Sequence, residues 1–338
     1  MIGVFQKKML ILMILVNRFL FLIPILFTLF FSCNSNKKTY KILGYAQGTT
    51  YQIKYHHIYE IDKFEIDSLL VLVDNSMSTY LDNSIISLIN QGKEVYLDSL
   101  ITTVINKSLL VCNETDGMFD ITVAPIVNHW GFGPDKMKKK NLDSLSHPFF
   151  LVGCDKIFIS NGQIVKSDSV SIDLNGIAQG FSVDFISNYL RRQHGIQDFM
   201  VEVGGELRCE GNNLGNGWKI GIDAPTDLRS GFSFVVKLRD ISLATSGSYR
   251  NYYYLDTIKI NHTMNPKTLQ PAQNKLISAT ILYSDCMSAD AYATACMSFG
   301  FERAKKFLND KEISGCLIYV DDGDTLSYLS SKFSSFLH

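Results

Sequence analysis

Apolar and polar residues alternate in "TTYQIKYHH", where Tyr51, Ile53 and Tyr55 share one side, and the pattern predicts a half-buried strand. The period then changes. Ile66, Leu69, Leu70, Val73 and Met77 recur at helical spacing, and so do Ile101, Val104, Ile105 and Cys112 within "SLITTVINKSLLVC". "KIFISNGQIVKS" predicts a hairpin turning at Asn161-Gly162. "VSIDL" reads as a strand that "NGIAQG" turns into a helix bearing Phe181, Phe185 and Tyr189, closed by Gly195. "FMVEVGGEL", "WKIGID", "FSFVVKLRDISLAT", "TIKI" and "LISATILYS" read as strands. Helices follow at 288–300 and near 301–309, and "CLIYVDDGDTLSYLS" closes the chain as a hairpin. Strands outnumber helices and come in antiparallel runs, so the fold class is α+β. No repeat, low-complexity linker or domain break interrupts the chain after residue 41.

The N-terminus follows another pattern. Lys7, Lys8 and Arg18 precede "FLFLIPILFTLFF" (19–31), a basic region followed by an apolar run of 13 residues. That is short for a membrane span and right for a signal peptide. It ends at Ser32-Cys33, so residues 1–33 read as a leader whose Cys33 is the acylated cysteine of a lipoprotein. Residues 34–41 read as a tether and 42–335 as one domain. The expected location is a bacterial membrane, anchored by lipid and facing the periplasm, with the inner membrane favoured.

With 338 residues and 46% of them hydrophobic, the chain can bury a large core. A net charge of -1 gives no reason to expect nucleic acid, and the only dense basic run is "KMKKK" at 136–140. Cys112, Cys154, Cys209, Cys286, Cys296 and Cys316 show no zinc spacing. Export would permit pairing, but their apolar settings predict buried free thiols.

Chemistry is most legible in "SADAYATACMSFG" (288–300). Asp290 and Thr294, four apart on a helix, share a face. Asp290 either caps that helix or joins a hard cation such as Mg²⁺, which takes oxygen ligands. Other stretches are too polar or Gly-rich for the elements they punctuate: "AQGTTY", "MSTY", "GMFDITVAPIVNHWGFGP", "IDLNGIAQG", "VEVGGE", "ATSGSYRNY", "HTMNPKT" and "ADAYAT". Singly, each has an ordinary account as a bulge, a turn cap or a loop.

Together and in this order, they resemble the ApbE family of FAD:protein FMN transferases, over nearly everything from Gly44 to Gly300. The resemblance implies a single T-fold-related α+β domain. It implies an exported enzyme that binds FAD and Mg²⁺, moves FMN onto a Ser or Thr hydroxyl of an acceptor protein and releases AMP. Carried over residue by residue, Asp290 and Thr294 would hold Mg²⁺ with the carbonyls of Ala293 and Gly176. Gln47, Tyr80, Met118, Phe119, Asp120, Asp173, Gln179 and Met264 would contact FAD. His262 would take the proton of the acceptor hydroxyl, and Arg250 would meet a phosphate or carboxylate. Gln47 stands where the family has Met, Gln179 where Lys is common, Asn265 in place of Asp, and Leu269-Gln270 in place of a Thr-Gly type ending. The implied acceptors are redox-pump or electron-transport subunits. The alternatives are an Mg²⁺-dependent FAD pyrophosphatase and a flavin-binding lipoprotein without catalysis.

Overall fold

Gln47 and Gly48 both lie at positive φ, 52° and 72°, a pairing that matches the twist of a two-residue hairpin. They join β1 (Lys38–Ala46) to β2 (Thr49–His57), so regular structure begins inside the stretch read as a tether. The computed structural model describes residues 37–134, 151–223, 232–249 and 251–338. The leader with Cys33, the basic run 136–140 and Arg250 lie outside the described residues.

Six further strands complete an eight-stranded sheet. They are β3 (Phe199–Val203), β4 (Glu206–Glu210), β5 (Ile241–Gly247), β6 (Leu276–Tyr283), β7 (Ser314–Asp321) and β8 (Asp324–Leu329). Neighbours from β2 to β8 pair antiparallel in chain order. Alternate residues feed two cores, as a period of two requires. Ala244, Ala279, Ile281 and Leu317 join one cluster with the helices, while Leu243, Leu282, Cys316 and Ile318 join another. That second cluster is covered by the hairpin of Trp218–Asp223 and Phe232–Leu238. The sheet is therefore covered on both faces, and the expected α+β class is what the structure has.

Among the described residues, the helices are α1 (Lys63–Met77), α2 (Ile85–Asn90), α3 (Ser99–Glu114), α4 (Ala124–His129), α5 (Ala178–Gln193), α6 (Cys286–Phe299) and α7 (Phe301–Asp310). Asp62 caps α1 and Asp98 caps α3, each accepting a backbone N–H of the first turn. In α5 the aromatic stripe is only half of what packs. Phe181 enters the cluster of α3 and α6, while Val183, Ile186 and Leu190 face α1 and the first strands. Among the described residues, Thr39–His56 and Glu60–His338 form one unit.

Three expectations change. "VSIDL" is not a strand. Its burial alternates, but the Ile172 backbone bonds both ways with the Asn90 side chain at 2.8 Å, and the Asp173 N–H goes to the Ile121 carbonyl at 2.7 Å. A segment whose polar groups are satisfied one by one needs no ladder. Cys112 and Cys154 are not free thiols but a disulfide, with Cα atoms 6.6 Å apart, joining the last turn of α3 to the turn Cys154–Lys156. Cys209, Cys286, Cys296 and Cys316 are free and buried, as expected. Finally, the cap of α6 is Asp285, whose side chain accepts from Ser288 N–H at 2.8 Å, so Asp290 is left for other work.

Candidate active site

Helix α6 has a high content of small residues and is buried along nearly its whole length. Small residues let another backbone come close. Gly180, in the first turn of α5, uses that room: a Cβ there would lie 2.4 Å from the Cys286 carbonyl oxygen and 2.8 Å from Asp290 Cβ. At this approach Gly180 N–H donates to Asp290 Oδ2 at 3.0 Å. Asp290 is only 5% exposed. Burial pushes its carboxyl up to about 7, against the pull of the Gly180 N–H. One turn on, Thr294 Oγ1 lies 3.5 Å from the Gly176 carbonyl and 3.3 Å from Ser246 Oγ. A Cβ on Gly176 would meet Thr294 at 3.1 Å and the Phe119 ring at 3.4 Å.

So Asp290, Thr294, Gly176 and Phe119 converge, and Ser246 at the end of β5 joins them. A carboxylate, two hydroxyls and a carbonyl are hard oxygen donors suited to Mg²⁺. A buried carboxylate held by one N–H and pushed up in pKa is a group that a cation would relieve. The donor set fits such an ion. Ala293 is buried in the same turn of α6. Asp184, Glu206, Asp290 and Asp285 add to burial in raising the Cys286 thiol well above its ordinary value, so the surroundings favour a cation and disfavour a thiolate. Among the described residues, the only group of three His, Cys, Asp or Glu ligand atoms drawn together is Cys112, Asp120 and Cys154, and its two sulfurs are joined to each other.

The residues expected to contact FAD are less uniform. Met118 and Phe119 are core side chains, and Met264 belongs to a small apolar cluster with Ile126, Val152 and Leu269. Asp120 caps the turn Ile121–Val123, accepting from Thr122 N–H at 2.8 Å and Thr122 Oγ1 at 2.6 Å. Burial raises its pKa, and the Thr122 bonds oppose the rise. Asp173 accepts from Asn175 N–H at 2.9 Å, and burial raises its pKa too. Both acids thus have the turn-capping work that their sequence context allows. Tyr80 is 63% exposed, and desolvation, then the Asp173 charge, raise its phenol. Gln47 donates to Ser182 Oγ on α5 at 2.8 Å, so its side chain is turned into the fold. Gln179 packs on Gly204 of the Gly pair, within 3.1 Å of where a Cβ would be.

His262 follows the hairpin of Tyr252–Leu255 and Ile258–Asn261. Its Nδ1 lies 3.1 Å from the Asn251 carbonyl. A carbonyl only accepts, so Nδ1 carries the proton and Nε2 keeps a lone pair in the neutral ring. Burial holds the pKa of His262 below the ordinary imidazole value, partly offset by that bond. Two residues on, the Met264 carbonyl accepts from Ser298 Oγ of α6 at 3.0 Å, which docks this segment on the helix that bears Asp290. Asn265 Oδ1 accepts from Lys267 N–H at 2.9 Å and Thr268 N–H at 3.1 Å. The Asn265 amide therefore closes the turn that follows it. Ser246 was visible in the sequence only as part of "ATSGSYRNY", with nothing to mark it beside Thr294.

A family model described as the ApbE family matches residues 47–318. An FAD:protein FMN transferase of Vibrio cholerae is 34% identical over 321 residues, covering 90% of this chain and 95% of that one. One of Escherichia coli is 33% identical over 238 residues, 68% of each chain. Among solved structures, the flavin transferase ApbE from Vibrio cholerae matches with a TM-score of 0.81 at 32% identity, over 89% of this chain and 100% of that one. The apo form of a Pseudomonas stutzeri flavinyl transferase ApbE also gives 0.81, at 27% identity, over 89% and 97%.

Proposed function

The chain belongs to the ApbE family and is a transferase that moves FMN from FAD to protein; on that premise, we propose that it works with Mg²⁺ and a Ser or Thr hydroxyl as acceptor. The observation that carries the metal is the buried Asp290 carboxylate, faced by Gly180 N–H and followed one turn on by Thr294 beside the Gly176 carbonyl. Asp290 and Thr294, with the carbonyls of Gly176 and Ala293, would hold the ion. When bound, it would supply positive charge to the pyrophosphate of FAD and to the departing phosphate.

The rest of the work falls to the chain. Tyr80 offers an exposed ring for a flat partner. The loops capped by Asp120 and Asp173, with Met118, Phe119 and Met264 beneath, would form the wall against FAD. Gln47 and Gln179 brace the same end of α5. His262 Nε2 takes the proton of the acceptor hydroxyl. The hydroxyl oxygen bonds to the phosphorus of the FMN phosphoryl group, the bond to AMP breaks, and AMP leaves with that electron pair. The acceptor class we propose is a membrane redox or electron-transport subunit.

Mass spectrometry of such an acceptor, incubated with the protein, FAD and Mg²⁺, should find FMN bound covalently to Ser or Thr. Asp290→Ala or a chelator should abolish the product. Full labelling by Asp290→Ala in chelator would sink the metal reading, and FMN and AMP released without labelling would point to pyrophosphatase action.

We also propose a lipid anchor at Cys33, supported by the basic and apolar leader before it. Among the described residues, no helix is long and apolar enough to cross a membrane.

A further inference from the structure

The first four backbone N–H groups of any helix lack partners inside it. In α6 three of them, those of Cys286, Met287 and Ser288, are taken by two different acids. Asp285, the local cap, takes Ser288 N–H on its carboxylate at 2.8 Å, while its carbonyl accepts the first regular helix bond, from Ala289 N–H at 3.2 Å. The other two go to Asp184, which lies about a hundred positions earlier, on α5. Its Oδ1 accepts from Cys286 N–H at 3.0 Å and its Oδ2 from Met287 N–H at 2.9 Å. Asp184 is one turn beyond Gly180, on the same side of α5. Helix α5 therefore grips α6 twice, by the Gly180 N–H on Asp290 and by the Asp184 carboxylate on the end of α6.

We propose that Asp184 is a positioning residue for the metal pocket, setting the register of α5 against α6. The pocket needs that register because its donors come from both sides of the contact. Asp290 and Thr294 ride on α6, and the Gly176 carbonyl comes from the turn that opens α5. A slide of one helix along the other would part them. Asp184 holds the ends together with two charge-assisted bonds, where a simple cap would need only Asp285. Keeping a second carboxylate there has a cost: burial, helped by the neighbouring Asp285, pushes its pKa up to about 6 against the pull of the Cys286 and Met287 N–H groups and of Arg208.

The inference rests on the metal reading of Asp290, so the test includes that residue. Mg²⁺ binding to the full chain without FAD is measured by calorimetry, for the wild type and for Asp184→Asn, Asp184→Glu and Asp290→Asn. Asp184→Asn keeps the size but loses one acceptor and the charge. It should bind Mg²⁺ about 10–100-fold more weakly, the usual loss when a group that orients metal ligands is removed. The transfer rate at saturating Mg²⁺ should stay closer to wild type than the Mg²⁺ affinity does. Asp184→Glu keeps the charge and both acceptors, and guards against a variant that fails to fold. Its extra methylene shifts the contact, so weaker Mg²⁺ binding is expected there as well. Wild-type Mg²⁺ affinity in folded Asp184 variants, with binding lost in Asp290→Asn, overturns the positioning role alone. Wild-type affinity in Asp290→Asn overturns the pocket and this proposal with it.

Discussion

At the scale of single residues, one proton of the site is placed by a backbone atom. Nδ1–H of His262 donates to the Asn251 carbonyl, so the lone pair of the neutral ring is left at Nε2. His262→Ala should slow FMN transfer by about 10²–10⁴-fold, the usual range for a general base, with FAD affinity held. The folded pKa lies below 6.5, so the wild-type rate should fall on acidification with a midpoint on the acid side of that value. The variant should lack this limb. A pH–rate profile beside an FAD titration decides it, and a large loss of affinity with the saturated rate intact would remove the base role. Asp290 and Thr294 were legible as a pair at helical spacing, and Gly176 only through the family resemblance of its motif. Ser246 and Asp184 were not. A serine at a strand end and an acid on a helix look alike whether they face solvent or a neighbour, and only the tertiary fold brings Ser246 to Thr294 and Asp184 to the end of α6.

At the scale of elements, what matters is how closely α5 and α6 approach. Gly180→Ala would put a methyl group 2.4 Å from a backbone oxygen, so the helices must separate. A loss of about 1–3 kcal/mol is expected, the cost of overfilling a packed contact, with weaker transfer as the Gly180–Asp290 bond lengthens. Urea denaturation and a transfer assay on the same preparation check both parts, and an unchanged midpoint would contradict the close contact. The long helices and the sheet strands were legible because their periods persist over many residues. The short helices α2 and α4 were not, since six residues hold too few repeats to show a period. "VSIDL" misled for a different reason. Its alternation is real, but Asn90 and Ile121, both distant in sequence, take its hydrogen bonds.

At the scale of the whole molecule, the sheet separates two cores and one disulfide spans the edge of the site. Cys112 and Cys154 are 42 positions apart, and closing a loop of that size stabilises the fold by about 4 kcal/mol on the chain-entropy estimate. Replacing both cysteines by Ala, or adding a dithiol, should lower stability by a similar amount. Equal urea midpoints with and without reductant would refute it. The pairing was not legible because six cysteines in apolar settings say nothing of which two will meet. Anchoring is tested on the intact cell: Cys33→Ser should move the processed protein out of the membrane fraction. A processed variant that stays there would count against the lipid.

The contact at Gly180 also has a genetic consequence. At Gly44 a methyl group would strike the Tyr51 ring, an obstacle that a second substitution can trim away. At Gly180 it would strike the carbonyl oxygen of Cys286, and every amino acid brings one of those. No exchange of the opposing residue makes room. A selection for suppressors of Gly180→Ala should therefore return glycine itself, and rarely a partner mutation, so the position can be left in evolution only by giving up the helix contact altogether.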